Sequence, residues 1–279
     1  MSTPSSELPL TEQVTHVVDD RGIATITFNR PDVKNAISPD QRDRVIALLH
    51  EASTDIGIRA VVLTHTGDAF CTGADLRAKR TPAPRPHDAP DRTVGEVAKL
   101  IREGAQALVA AILDCEKPVV AALSGTAAGI GAHIALACDL VVATDEVRFI
   151  EVFARRGLVP DGGGAYLLPR LVGTRKAKEL MFFGDDLSAA DAAALGLINR
   201  VVPAAELDGA VAEWTDRLAT APTRALALTK WLVDTSLDSD RATAFQNEAV
   251  AQELNMATRD ANEGVASFVE RRSPSYRGW

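Results

Sequence analysis

The chain has 279 residues, enough to bury a sizeable core in one large domain or in one domain with a smaller appendage. Its 30 Lys and Arg stand against 38 Asp and Glu, a net charge of -8, so it has no diffuse basic field of the kind nucleic-acid binding needs. Cys71, Cys115 and Cys138 are scattered among small and apolar neighbours without zinc spacing, which reads as reduced core thiols rather than a disulfide framework or a metal site. The longest apolar runs, such as VVAAL at 119–123, fall far below the roughly 18 residues of a membrane span. The opening MSTPSSELPLTE has neither a basic n-region nor an apolar h-region, so residues 1–12 read as a disordered lead to a cytoplasmic protein.

In chain order, VTHVV and IATITF flank Asp19–Gly22 and predict an antiparallel hairpin. Ser38 before Pro39 is a candidate N-cap with proline at the first helical position, and QRDRVIALLHEAS spaces its apolar residues at helical period. IRAVVLTHTG reads as a buried strand and turn, and the proline-rich stretch 77–92 as a mobile surface loop. TVGEVAKLIREGAQALVAAILDCE predicts one long amphipathic helix, KPVVAALSG a buried strand, GIGAHIALACD at 129–139 a helix, and DLVVATDEVRFI two short strands. Continuous apolar strands alternating with helices indicate an α/β fold with parallel strands. After Pro160 the chain is mostly helical, interrupted by the strand-like LINRVV at 197–202. The expected organisation is an α/β core over 13–205 and a helical region over 206–279.

GIGAHIA follows a strand, which invites a dinucleotide-binding reading. Its third glycine is missing, with Ile134 in that place, and no acidic residue closes a following strand at the required distance. A P-loop is excluded because no Gly-Lys-Ser/Thr follows the turn. Two stretches carry more: AFCTGADL at 69–76 and SGTAAGIGAHIALACDL at 124–140. Each puts glycine and small residues where a strand ends, leaving backbone N–H groups free to face a ligand oxygen. Two such groups from separate loops would form an oxyanion hole.

Taken with NRPDVKNA, VFARRGLVPDGGGAYLLPRLVG, LSAADAAALGLINRVVP and EGVASFVERRSP, these motifs identify the chain as similar to the crotonase, or enoyl-CoA hydratase/isomerase, superfamily from about Val14 onward. The resemblance implies a spiral core of repeated ββα turns, a C-terminal helical trimerisation region, and a homotrimer or a hexamer built as a dimer of trimers. It implies an acyl-CoA substrate, as in fatty-acid and related acyl-CoA breakdown, with coenzyme A entering as part of the thioester and no permanently bound cofactor or metal. The oxyanion donors carry over to the N–H groups of Ala74 and Ile130, supported by Gly73, Gly129 and Gly131. Arg30, Lys34, Phe268 and Arg271 match coenzyme A contacts, the last two reaching a neighbouring subunit's cofactor.

Hydratases of the family hold water between two glutamates, and by register these positions fall on His133 and Phe153. Glu151 stands two residues early, a displacement read as turning it away from the direction of residue 153, where Phe153 would line the acyl pocket. Asp161 matches the aspartate of a V-P-D-x-G turn in isomerase-like members and is the expected base for moving a double bond. Its alternative is a helix N-cap. His133 is either a packed core histidine or a second acid/base group or water-positioning residue. The favoured expectation is an enoyl-CoA isomerase using Asp161. A hydratase relying on His133 or Glu151, and a non-catalytic acyl-CoA carrier or scaffold, are the alternatives.

Overall fold

The computed structural model describes Ser5 and residues 8–78, 86–90 and 93–279. A single helical turn, α1 (Leu10–Gln13), leads into the hairpin β1 (Val14–Val18) and β2 (Ile23–Phe28), paired antiparallel from Val14 opposite Phe28. Helix α2 (Pro39–Thr54) then crosses to β3 (Ala60–His65), and a short β4 (Ala69–Cys71) follows. Next come α3 (Glu96–Ile101), α4 (Ala107–Leu113), β5 (Val119–Leu123), β6 (Thr126–Ala128), α5 (Ile130–Ala137), β7 (Leu140–Thr144) and β8 (Arg148–Ile150). The remainder is α6 (Gly164–Phe183), β9 (Leu187–Ser188), α7 (Ala189–Ala194), β10 (Arg200–Val202) and four helices: α8 (Leu207–Ala219), α9 (Thr223–Ser236), α10 (Arg241–Met256) and α11 (Arg259–Glu270). Among the described residues no helix is long and apolar enough to cross a membrane.

Two sheets form the core. The larger runs β1-β2-β3-β5-β7-β10, with every pair after the first hairpin parallel. The smaller runs β4-β6-β8-β9, with β4, β6 and β8 parallel and β9 antiparallel to β8. Side chains on a strand alternate between faces, and here both faces of the large sheet are apolar. Ala60 and Val62 of β3, with Val120 and Ala122 of β5, pack toward Leu207 and Ala210 of α8. Val61 and Leu63, with Val119, Ala121 and Leu123, face the principal core with Val45 and Leu49 of α2 and Leu108 and Ile112 of α4.

Local chemistry sets the helix ends as the sequence predicts. Ser38 accepts from Gln41 N–H at 3.3 Å while the Gln41 side chain accepts from Ser38 N–H at 2.9 Å, a reciprocal cap with Pro39 inside the first turn. Two expectations are corrected. The single helix predicted over 93–116 is divided into α3 and α4 by a wider π turn at Arg102–Gln106. The lead read as disordered through residue 12 is ordered in its described part: Ser5 N–H donates to Asp32 at 3.2 Å, and Gln13 donates to Leu8 O at 2.7 Å. The loop expected at 77–92 falls largely outside the described residues. All three cysteines are free and buried; burial pushes the Cys71 thiol up to about 11 and raises Cys138 further.

Of the ion pairs that join the C-terminal helices to this core, the one between Lys230 and Asp139 is the most buried. Lys230 on α9 donates to Asp139 at 2.9 Å and to Ile112 O at 2.9 Å, while Asp139 also accepts from Val119 N–H at 2.6 Å. The side chains are 9% and 23% exposed, and burial raises the Asp139 carboxyl against the pull of Lys230. Lys230→Met should therefore leave a largely buried carboxylate unpaired and lower stability by about 2–3 kcal/mol, measured by urea denaturation.

Candidate active site

Three parallel strands of the small sheet end side by side, and each delivers one part of the site. β4 runs into Gly73 and Ala74, β6 into Gly129 and Ile130, and β8 into Glu151, Val152 and Phe153. Ile37 N–H donates to Gly73 O and Asp75 N–H donates to Ile37 O, both at 2.9 Å. Because successive peptide groups alternate along an extended chain, the Ala74 N–H between them points away from Ile37. Gly73 and Gly129 have φ of +114° and +56°, which a side chain would strain. A Cβ on Gly129 would lie 3.9 Å from Gly73 Cα, so the two loops adjoin.

Gly131 explains why the second loop needs more than one glycine. Any side chain there would overlap the Cys71 carbonyl oxygen, so the first turn of α5 rests directly on the end of β4. The first intrahelical bond runs from His133 N–H to Gly129 O at 3.1 Å. Among the described residues neither Ala74 N–H nor Ile130 N–H donates to a backbone carbonyl. The structure thus places the two expected donors on adjoining loops, each without a backbone acceptor among the described residues.

Asp161 lies in the turn before α6, where Gly162 and Gly163 both have positive φ. This turn is packed on two helical segments. A Cβ on Gly162 would overlap the Ile130 side chain and come within 3.3 Å of Ala105, and one on Gly163 would meet Val109 at 3.1 Å. Ala105 belongs to the π turn between α3 and α4, which seats the Asp161 turn. Sequence reasoning passed over Ala105 and Val109; the signal was their i, i+4 spacing opposite a triple glycine. The N-cap position of α6 is Gly163 and no side chain caps it, so the Asp161 carboxylate is not spent on the helix. Half-buried, it is raised above the ordinary aspartate range by desolvation, opposed by the positive charge His133 carries when protonated.

His133 is wholly buried and Glu151 is 6% exposed. Both Glu151 carboxylate oxygens lie 3.2 Å from His133 Nε2. The expectation that Glu151 points away from residue 153 is therefore wrong. Beyond β8 the chain leaves the extended conformation, with Phe153 at φ −60° and ψ −52°, so strand alternation does not govern residues 151–153, and Phe153 also reaches the imidazole, stacked at 5.3 Å between ring centres with 12° between planes. His133 and Glu151 were weighed singly in the sequence; their pairing is visible only once β8 lies beside α5.

The coenzyme A candidates divide. Arg30 is 5% exposed and turned inward, donating to Asp75 and Gln41 at 3.0 Å each and to Ala36 O at 3.2 Å. In this arrangement it braces the Ala74 loop through Asp75 rather than presenting a surface cation. Lys34 is exposed, with its carbonyl accepting from Thr72 N–H at 3.2 Å, so it stands beside the loop that carries Ala74. Phe268 is 84% exposed, and Arg271 closes α11 in the left-handed conformation. Neither is brought to the site by the packing of α11 against α10. Among the described residues no group of three or more His, Cys, Asp and Glu side chains is placed to hold a metal ion.

Known proteins give this geometry its context. The family model described as enoyl-CoA hydratase/isomerase matches residues 19–278. A Rhodobacter capsulatus protein named "Probable enoyl-CoA hydratase" is 36% identical over 92% of this chain and 95% of its own length. The 1,2-epoxyphenylacetyl-CoA isomerase of Escherichia coli is 33% identical, over 93% of this chain and 96% of its own. The crystal structure of an enoyl-CoA hydratase from Mycobacterium smegmatis superposes with a TM-score of 0.86 at 32% identity, covering 96% of this chain and 99% of that one. The mixed α/β architecture is accordingly the crotonase fold, and the chain belongs to the enoyl-CoA hydratase/isomerase family, whose members are enzymes acting on coenzyme A thioesters.

Proposed function

We propose that this enzyme moves a carbon–carbon double bond in an enoyl-CoA thioester, with Asp161 carrying the proton and Ala74 and Ile130 N–H groups holding the thioester oxygen. The observation that carries this reading is the Asp161 carboxylate itself: half-buried, raised by desolvation, free of any capping duty, and followed by Gly162, which packs against the Ile130 side chain. Removing a proton from C2 of a 3-enoyl thioester, or from C4 of the conjugated 2-enoyl thioester, gives the same dienolate and builds negative charge on the thioester oxygen. Two fixed N–H donors stabilise that charge, each typically worth about 2.7–4 kcal/mol. A base that returns the proton to the other carbon completes the migration, and one carboxylate of suitable reach suffices.

Hydration of a 2-enoyl-CoA is the second reading, favoured by the His133–Glu151 pair. A carboxylate-bound imidazole is a competent water-activating group, and relatives carry both hydratase and isomerase names. In either reaction Lys34 offers a cation near the mouth of the Ala74 loop for the coenzyme A phosphates. Phe268 and Arg271 would contact the cofactor of an adjacent subunit in a homotrimer or a dimer of trimers. Exposed apolar side chains along the C-terminal helices, including Phe245, Leu254 and Val265, support such an assembly.

Asp161→Asn should lower bond migration between 3-enoyl-CoA and 2-enoyl-CoA about 10²- to 10⁴-fold, with the melting temperature held because no helix cap is lost. Migration and hydration are followed separately in this assay, and fast hydration untouched by the substitution would sink the isomerase reading. The pH dependence has a definite sign. The base must be ionised and burial raises its pKa, so kcat/KM should fall toward acid from a pH above the ordinary aspartate range, as read from a pH–rate profile.

A further inference from the structure

His133 has a feature that neither packing nor substrate binding explains. Its ring is buried on all sides, yet Nδ1 has no hydrogen-bond partner among the described residues. An orphaned buried ring nitrogen is costly and marks a group awaiting a partner. The other nitrogen is fully committed: Nε2 sits 3.2 Å from both oxygens of Glu151. Phe153 covers one ring face, and Gly164 lies so near the Nε2 edge that a Cβ there would overlap the ring. Nδ1 is directed to the remaining side, where a Cβ on Gly162 would be 3.6 Å away. Gly162 is the residue after Asp161, and among the described residues Glu151 and Asp161 are the charged groups recorded against the imidazole.

We propose that His133 and Glu151 are positioning residues for Asp161, forming a relay in which His133 Nδ1 takes up and returns the proton that Asp161 removes from substrate. This rests on the reading of Asp161 as the base. Glu151 accepts from Nε2–H, which fixes the tautomer and leaves the lone pair on Nδ1, the logic by which a buried carboxylate orients a catalytic imidazole. Asp161 breaks the C–H bond and becomes a carboxylic acid while the bonding electrons pass into the enolate. The acid proton then moves from the Asp161 oxygen to Nδ1, producing an imidazolium whose Nε2–H remains on the Glu151 carboxylate. The reverse transfer restores the acid, which protonates the other carbon and regenerates the starting carboxylate and neutral imidazole. Atoms and charges balance without an added reactant.

Behind the ring, Glu151 faces a small cavity that it lines with Ala132, Leu136, Phe149 and Leu168, while both its oxygens stay on His133 Nε2. Stacking on Phe153 holds the ring plane, so the Nδ1 lone pair is not lost by rotation.

The test compares Glu151→Gln and His133→Gln with the unsubstituted enzyme in the bond-migration assay. Each should lower kcat about 10- to 100-fold while KM changes by less than about twofold. Combining the two substitutions should add little to either alone. An unchanged kcat in Glu151→Gln, or a fall in activity that merely tracks a fall in melting temperature, overturns the relay. Histidine ¹⁵N spectra of the unsubstituted protein test the tautomer without any variant: a buried imidazole protonated on Nε2 is expected, and one protonated on Nδ1 alone overturns the proposal. Asp161→Asn separates the two levels. If it abolishes migration while Glu151→Gln is silent, the relay alone fails; if migration survives it, the reading of Asp161 fails first.

Discussion

The contact on which this site depends is the abutment of α5 on the end of β4, where bare Gly131 rests on the Cys71 carbonyl. It fixes the distance between two loops that are far apart in sequence. Once β4 and β6 pair in parallel, the Ala74 and Ile130 peptides are set by the same strand ends, and neither needs a side chain to aim it. Donors held this way pay no reorganisation at the moment charge develops on a ligand oxygen. A methyl group at residue 131 would separate the two elements, and the donors would no longer converge.

The second constraint is how little room lies behind those donors. Ile130, His133, Ala105 and Val109 close on a turn of three successive glycines, and three of the resulting contacts leave no space for a Cβ or almost none. Asp161 is carried by that turn, so its place is determined by backbone seated on packed side chains rather than by a mobile loop. The π turn at Arg102–Gln106 belongs to the same arrangement, since it shifts Ala105 out of ordinary helical register beneath Gly162.

The glycines, the α/β alternation and the reciprocal cap at Ser38 were legible in the sequence because each reflects a local backbone demand. The three-residue strands β4 and β6 were not, since AFC and TAA are too short to show a period, and yet they order the site. Arg30 illustrates a different limit. An arginine reads as a surface cation until its partners are known, and here Asp75, 45 residues away in sequence, draws it inward. Glu151 and Phe153 meet the same imidazole because the chain turns out of β8 between them, a change of direction that neither a strand nor a helix period describes.

That last point bears on how one scaffold accommodates different reactions. On the proposed reading the oxyanion donors are the backbone N–H groups of Ala74 and Ile130, so they would serve any chemistry that builds charge on a thioester oxygen and would not select among such reactions. Selection falls to side chains behind them. Placing phenylalanine at 153 and the carboxylate at 151 keeps both on the face that meets α5, while withdrawing the charge by two residues along the strand end. There it is bound to an imidazole instead of being open to the front of the site. On the same reading the frontal carboxylate comes from a separate turn, at Asp161, and the order of Asp161, His133 and Glu151 from front to back, rather than the backbone donors, would decide which atom of a substrate can be reached.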